Sequence, residues 1–340
     1  MTFTDTTNYT TTYNSAGEEE DLKGTIFSEG QLIFSGTGTL NVTGKYKHAI
    51  ASDDYIRVRD GVIKVTAAAT DAIHTNDAFV MDGGELNLTS SSDGIEVEEG
   101  YMVFNSGTTT INSSGDGIAA SYDTDATIDP YIVINGGNFT INASEEGIES
   151  KTRLTINDGT FYIKTTDDAI NAGDAIYING GNIYAYSTTN DGIDSNGTLT
   201  ITGGKTIAIG ASAPEASFDC DQNTFKITGG SIVGIAGDTS KPTTNVTTQP
   251  TVILGSGSAN TIVHVQSSDG TEALTFLAPK SFTKLIFSNA KLSTGKTYKI
   301  YKGGTVSNGT DFNGLYLTGS YSGGTQSSSF TVNSMLTTVN

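Results

Sequence analysis

The residues best suited to chemistry in this chain are carboxylates, and they arrive in a fixed phrase. Thr70-Asp71-Ala72-Ile73, Ser92-Asp93-Gly94-Ile95, Gly115-Asp116-Gly117-Ile118, Glu145-Glu146-Gly147-Ile148, Asp167-Asp168-Ala169-Ile170 and Asn190-Asp191-Gly192-Ile193 each place an acid two residues before an isoleucine. The residue after each isoleucine forms a second series: His74, Glu96, Ala119, Glu149, Asn171 and Asp194. Stacked one coil on the next at about 4.8 Å, the two series become neighbouring acidic columns. Carboxylates about 5 Å apart repel by about 1 kcal/mol per pair even at the dielectric of water, and by more where water is partly excluded. Such columns call for a cation.

Few Lys or Arg fall at matching positions, whereas oxygen ligands at turns, beside backbone carbonyls, suit calcium with its six to eight loosely arranged oxygens. The candidate calcium ligands are Asp93 with Glu96, Asp116, Glu146 with Glu149, Asp168 with Asn171, and Asp191 with Asp194. Asp219 and Asp221, flanking Cys220, extend the column. The competing explanation is that these acids are turn formers, bonding the backbone ahead of a glycine. It applies best to Asp71 and Asp116, whose outward partners are His74 and Ala119. His48, His74 and His264 are far apart in sequence, without ligand spacing, and are expected to be structural.

The elements that must position these acids follow from the spacing. Successive isoleucines of the phrase are 22, 23, 30, 22 and 23 residues apart. A second phrase keeps the same beat, at Asp82-Gly83-Gly84, Asn135-Gly136-Gly137, Asn179-Gly180-Gly181 and Thr228-Gly229-Gly230 among others. Two phrases locked at one period mark a repeat in which each unit buries its apolar face against its neighbours. Each repeat reads as three short strands, with inward pairs such as Phe139/Ile141 and Leu154/Ile156 alternating with polar residues. Nothing in the chain shows a helical period. The expected fold is therefore all-β: a right-handed parallel β-helix of 22-23-residue coils followed by a smaller C-terminal β module. The expected divisions are a lead-in or cap over 1-30, the β-helix over 31-237 and the β module over 238-340, with a linker around Lys241-Pro242 and Gln249-Pro250. In the last two coils the outward positions turn apolar, at Ile207, Ile209, Val233 and Ile235, so the C-terminal module is expected to fold over them.

Composition narrows the function. The net charge of −19 repels phosphate backbones and anionic surfaces, so nucleic acid is excluded as a partner. No apolar run is long enough to span a membrane. The single Cys220 rules out a disulfide framework and is expected to be a buried thiol. A Thr/Ser/Asn-rich, Cys-poor chain points to a secreted or bacterial cell-surface setting, its leader or anchor lying outside this sequence, and to a monomer.

Tyr162, Lys164, Tyr184 and Tyr186 fall on adjacent coils of one face, with Tyr131 and Tyr177 on another. Flat aromatic ladders suit the apolar faces of sugar rings. The acid columns, the glycine-pair beat and a C-terminal module ending in Thr297-Tyr298-Lys299-Ile300-Tyr301-Lys302-Gly303-Gly304 and Phe312-Asn313-Gly314-Leu315-Tyr316 together resemble a family of bacterial surface carbohydrate-binding β-helix proteins. That family binds cellulose and acidic sugars such as polygalacturonate. The resemblance implies several bound calcium ions and a shape similar to pectate lyases, with binding rather than catalysis.

Three functions follow. The first is non-catalytic binding of plant cell-wall polysaccharide, either cellulose or pectin, with calcium bridging protein and uronate carboxylates. The second is a calcium-dependent polysaccharide lyase, for which Lys151 or Arg153, just after Glu149, would be the base. The third is an adhesive or structural spacer.

Overall fold

The computed structural model describes residues 1-6, 12-13, 16-17, 19-20, 23-122, 125 and 127-339. The turn expected to protrude between the Ile118 and Ile148 coils lies partly outside them. Every regular element among the described residues is a strand, and the chain forms two compact units, Met1–Asp174 and Ala175–Asn340.

In the first unit three strands recur per coil, and each pairs in parallel with its counterpart one coil on. The isoleucine of the acid phrase fixes the register: Ile50 pairs with Ile73, Ile73 with Ile95, Ile95 with Ile118, Ile118 with Ile148, and Ile148 with Ile170. All six are fully buried. Because a one-residue slip would turn every one of these side chains to solvent, the phrase holds the coils in register by itself.

The other two strands fill the remaining core. Phe79 meets Phe104 at 5.5 Å, Phe104 meets Phe139 at 5.3 Å, and Phe139 stacks on Phe161 at 4.8 Å, centroid to centroid. The glycine pair turns each corner. Gly107 sits at φ 110°, and a Cβ there would lie 2.5 Å from Met81 Cε and 2.9 Å from the Gly84 carbonyl of the preceding coil. Only glycine combines that backbone with that closeness.

The coils of this unit start early in the chain. Gly24–Ser28 pairs with His48–Ser52, and Thr2–Thr4 pairs in parallel with Thr39–Gly44.

The second unit continues the pattern through Ile193–Ser195, Thr198–Ile201 and Lys205–Ile209, then ends it by changing strand direction. Ser231–Ala236, the last strand on the glycine-pair side, pairs antiparallel with Lys284–Ser288. That strand pairs antiparallel with Thr251–Leu254, which in turn pairs with Leu336–Val339. An antiparallel sheet of Thr261–Ser267, Glu272–Ala278, Thr297–Lys302 and Thr325–Thr331 makes up most of the rest.

Ile207, Ile209, Val233 and Ile235 are all buried at 1 % exposure or less, so the apolar stripe is covered. The Pro-punctuated segment read as a linker is instead pinned along the last coil. Thr243 N and Thr248 N donate to the carbonyls of Phe225 and Ile227, while the Thr243 and Thr247 hydroxyls accept from Phe225 N and Ile227 N. It closes the open edge of Phe225–Ile227, whose backbone groups have no further coil to pair with.

Candidate functional site

The acid of each phrase sits just before a three-residue strand, its backbone held by the coil on either side. In the first unit this produces a relay. Asp71 Oδ1 accepts the Asp93 N–H at 3.0 Å, Asp93 Oδ1 accepts the Asp116 N–H at 2.7 Å, and Asp116 Oδ1 accepts the Glu146 N–H at 2.8 Å. The same contact recurs in the second unit, from Ala216 N to Asp191 Oδ1 at 2.5 Å. The turn-former explanation therefore accounts for one oxygen of each of these acids, and the other oxygen is left for a different task.

Those oxygens converge. Asp71, Asp93 and Glu96 form one group, Asp116, Glu145 and Glu146 a second, and Glu146, Asp167 and Asp168 a third; Asp191, Asp194 and Asp219 form another in the second unit. Within each group one oxygen per residue lies within 4.8 Å of the others. Oxygens around a calcium ion at about 2.4 Å can be no more than about 4.8 Å apart, so the all-oxygen donor sets fit that ion.

The sequence reading missed Asp71, Glu145 and Asp167 as members. For the last two the signal was present as doubled acids, Glu145-Glu146 and Asp167-Asp168. Glu149 and Asn171 hold the outward column position in register with Glu96 and Ala119. Asn171 Nδ2 donates to Asp168 Oδ2 at 3.2 Å. Asp219 pairs with Asp194 in register and accepts from Cys220 N and Ser240 Oγ, each at 2.7 Å. Asp221 is exposed at φ 46° and stands outside the group. Cys220 is a buried thiol.

The electrostatics show the strain of gathering these charges. Burial, with Asp71 and Glu96 nearby, pushes the Asp93 carboxyl up to about 7. Burial and the neighbouring acids raise Asp191 to about 6 and Asp194 to about 7. Asp116, Glu96 and Glu146 move up for the same first reason, desolvation. Asp71 goes the other way: burial pushes it up, but hydrogen bonds to His48 and His74 pull it below the usual carboxylate range. The first coils thus carry their own cations.

His48 and His74, read as scattered structural residues, are neighbours. Their rings stack 4.1 Å apart, and both Nδ1 atoms approach Asp71 Oδ2, at 2.8 and 3.2 Å. The signal was His48-Ala49-Ile50, the acid phrase one coil earlier with His in the acid's place. His264 is remote from this pair, buried in the C-terminal module against Tyr321.

Both basic residues considered as a lyase base are engaged. Lys151 Nζ lies 3.8 Å from Glu149 Oε1, and Arg153 Nη2 lies 2.5 Å from Asp129 Oδ2.

The tyrosines divide. Lys164 Nζ sits over the half-buried Tyr162 ring at 5.2 Å. Tyr184, expected on the outer ladder, is buried at 6 % exposure beside Tyr186, whose ring lies under Lys280 of the C-terminal module at 5.8 Å. The flatter platform is Tyr101 on Tyr131, stacked at 5.0 Å with 8° between the rings and Tyr101 exposed. Tyr101 opens the strand that follows Ile95–Val97, so this platform lies one turn from the Glu96 column.

No curated protein and no solved structure matches the chain. A family model does match, over residues 1–192 and 101–222, and by it the chain belongs to the family of carbohydrate-binding domain-containing proteins.

Proposed function

We propose that this chain is a non-catalytic polysaccharide-binding protein of the bacterial exterior that uses calcium held in its acid columns to recognise acidic plant cell-wall glycans, of the polygalacturonate class. The observation that carries the reading is the run of converging carboxylates beside an exposed stacked tyrosine pair, in a chain of the carbohydrate-binding family. A protein at −19 repels a polyuronate unless a dication stands between the two sets of carboxylates. The residues that would hold it are Asp93 with Glu96, Asp116 with Glu145 and Glu146, Asp168 with Glu146 and Asp167, and Asp191 with Asp194 and Asp219. Calcium would supply the charge bridge. The Tyr101–Tyr131 platform supplies the face on which a sugar ring packs, about 0.5–1.5 kcal/mol per stacked ring.

Cellulose is the second reading, favoured by the same tyrosine pair, because a neutral glucan needs a flat aromatic face and no bridging ion. The deciding experiment is binding to soluble polygalacturonate and to cellulose, each with calcium and with a chelator. Calcium-dependent polygalacturonate binding supports the proposal; chelator-insensitive cellulose binding transfers it to the neutral glucan. No saturable binding to either leaves the coil as a spacer. Ultraviolet absorbance from an unsaturated uronide product would restore the lyase.

A further inference from the structure

The two acid columns do not begin with acids. His48 occupies the acid position one coil before Asp71, and His74 heads the outward column one coil before Glu96. The result is a mixed nitrogen and oxygen cluster at one end of an otherwise all-oxygen face. Asp71 Oδ2 lies 2.8 Å from His48 Nδ1 and 3.2 Å from His74 Nδ1, and Glu96 Oε2 lies 3.1 Å from His74 Nδ1.

We infer that His48, Asp71, His74 and Glu96 form a site for a divalent first-row transition ion of the zinc class, chemically distinct from the calcium-type groups further along. Ligands at about 2.0–2.1 Å around a tetrahedral zinc ion stand about 3.3 Å from one another, close to the separations found here.

Three further features prepare the donors. His74 Nε2 is 3.3 Å from Glu98 Oε2. A proton held there by Glu98 leaves the Nδ1 lone pair of the neutral ring facing the cluster, the arrangement that commonly orients a metal-binding histidine. The Asp71 N–H donates to His48 Nδ1 at 3.4 Å, so that nitrogen too presents its lone pair. Asp71 keeps its other oxygen, Oδ1, on the Asp93 N–H, which fixes the direction of Oδ2. Two neutral imidazoles and two carboxylates balance a dication, and nitrogen donors favour zinc, copper, nickel or cobalt over calcium. The inference does not rest on polysaccharide binding and survives its failure.

The test uses the full chain, stripped with chelator and titrated with cobalt(II) in about a hundredfold excess of calcium, followed by visible absorption. The expected result is uptake of one equivalent with the intense bands of tetrahedral, nitrogen-ligated cobalt, abolished by one equivalent of zinc. His48→Gln and His74→Gln should each remove the bands, while Asp194→Asn, in the second unit, should keep them. Weak octahedral absorption, displacement by calcium, or bands unchanged in both histidine variants would each overturn the assignment. So would no cobalt uptake at all, which would leave the cluster an ion pair held by protons. Should either histidine variant fail to fold by circular dichroism, the spectrum of the unsubstituted chain still decides.

Discussion

Replacing Asp93 with Asn should change the sign of its effect on stability according to whether calcium is present. The amide keeps an oxygen where Oδ1 accepts the Asp116 N–H at 2.7 Å, so the relay survives and only the charge is lost. That charge is costly without a cation, because burial, with Asp71 and Glu96 alongside, lifts the carboxyl from the ordinary 3.8 to about 7. A folded-state value above the unfolded one means that the penalty is absent near about pH 4, grows as pH rises, and is complete above about pH 7. A shift of about three units corresponds to about 4 kcal/mol. Solvent access to this half-buried group reduces it to about 2 kcal/mol.

In chelator at about pH 8, Asp93→Asn should therefore stabilise by about 2 kcal/mol, raising Tm by about 4–8 °C, and at about pH 4.5 it should do little. In millimolar calcium the same substitution should lower Tm, since it removes a ligand. Thermal melts of both proteins in the four conditions give the result. If Asp93→Asn destabilises equally in chelator and in calcium at the higher pH, the carboxylate is not strained in the cation-free fold, and the cation argument for the columns fails.

Three other outcomes are expected. Gly107→Ala should cost about 2–3 kcal/mol in urea unfolding, since φ 110° and the Met81 Cε and Gly84 carbonyl contacts oppose a Cβ, whereas Gly30→Ala, with open space around it, should be near neutral. Tyr101→Ala should weaken polysaccharide binding by about 1 kcal/mol, roughly fivefold by titration calorimetry, with an unchanged Tm, because the ring is exposed. Val233→Asp should destabilise by more than about 3 kcal/mol in the same urea assay, since it places an unpaired charge at a fully buried position of the covered stripe.

The coil itself was legible because stacking asks for the same side chain at the same place every turn. The isoleucines from Ile73 to Ile170 therefore declared both period and register. The acid column was legible for the same reason. What the repeat could not reveal depends on partners outside its period. His48 and His74 lack any ligand spacing along the chain, and only the fold turns residues 26 apart into stacked rings. Tyr184 alternates outward like its neighbours, yet it is buried where Lys280, far along the chain, approaches the adjacent Tyr186. The segment from Lys241 to Pro250 has the prolines and threonines of a linker. Its threonine hydroxyls and amides serve as a substitute coil, a use that composition does not distinguish from solvation.

That substitute coil sets a limit on assembly. A parallel β-helix ends in a template onto which another copy could add its first coil and repeat the process without limit. Here the terminal template is already occupied by this chain. On one side Lys284–Ser288 runs against the direction a further coil would need, and on another the 241–250 segment takes up the backbone groups of Phe225–Ile227. A protein dense in stackable, sequence-similar coils thus carries its own stop signal, and growth at this end is blocked by geometry rather than by charge.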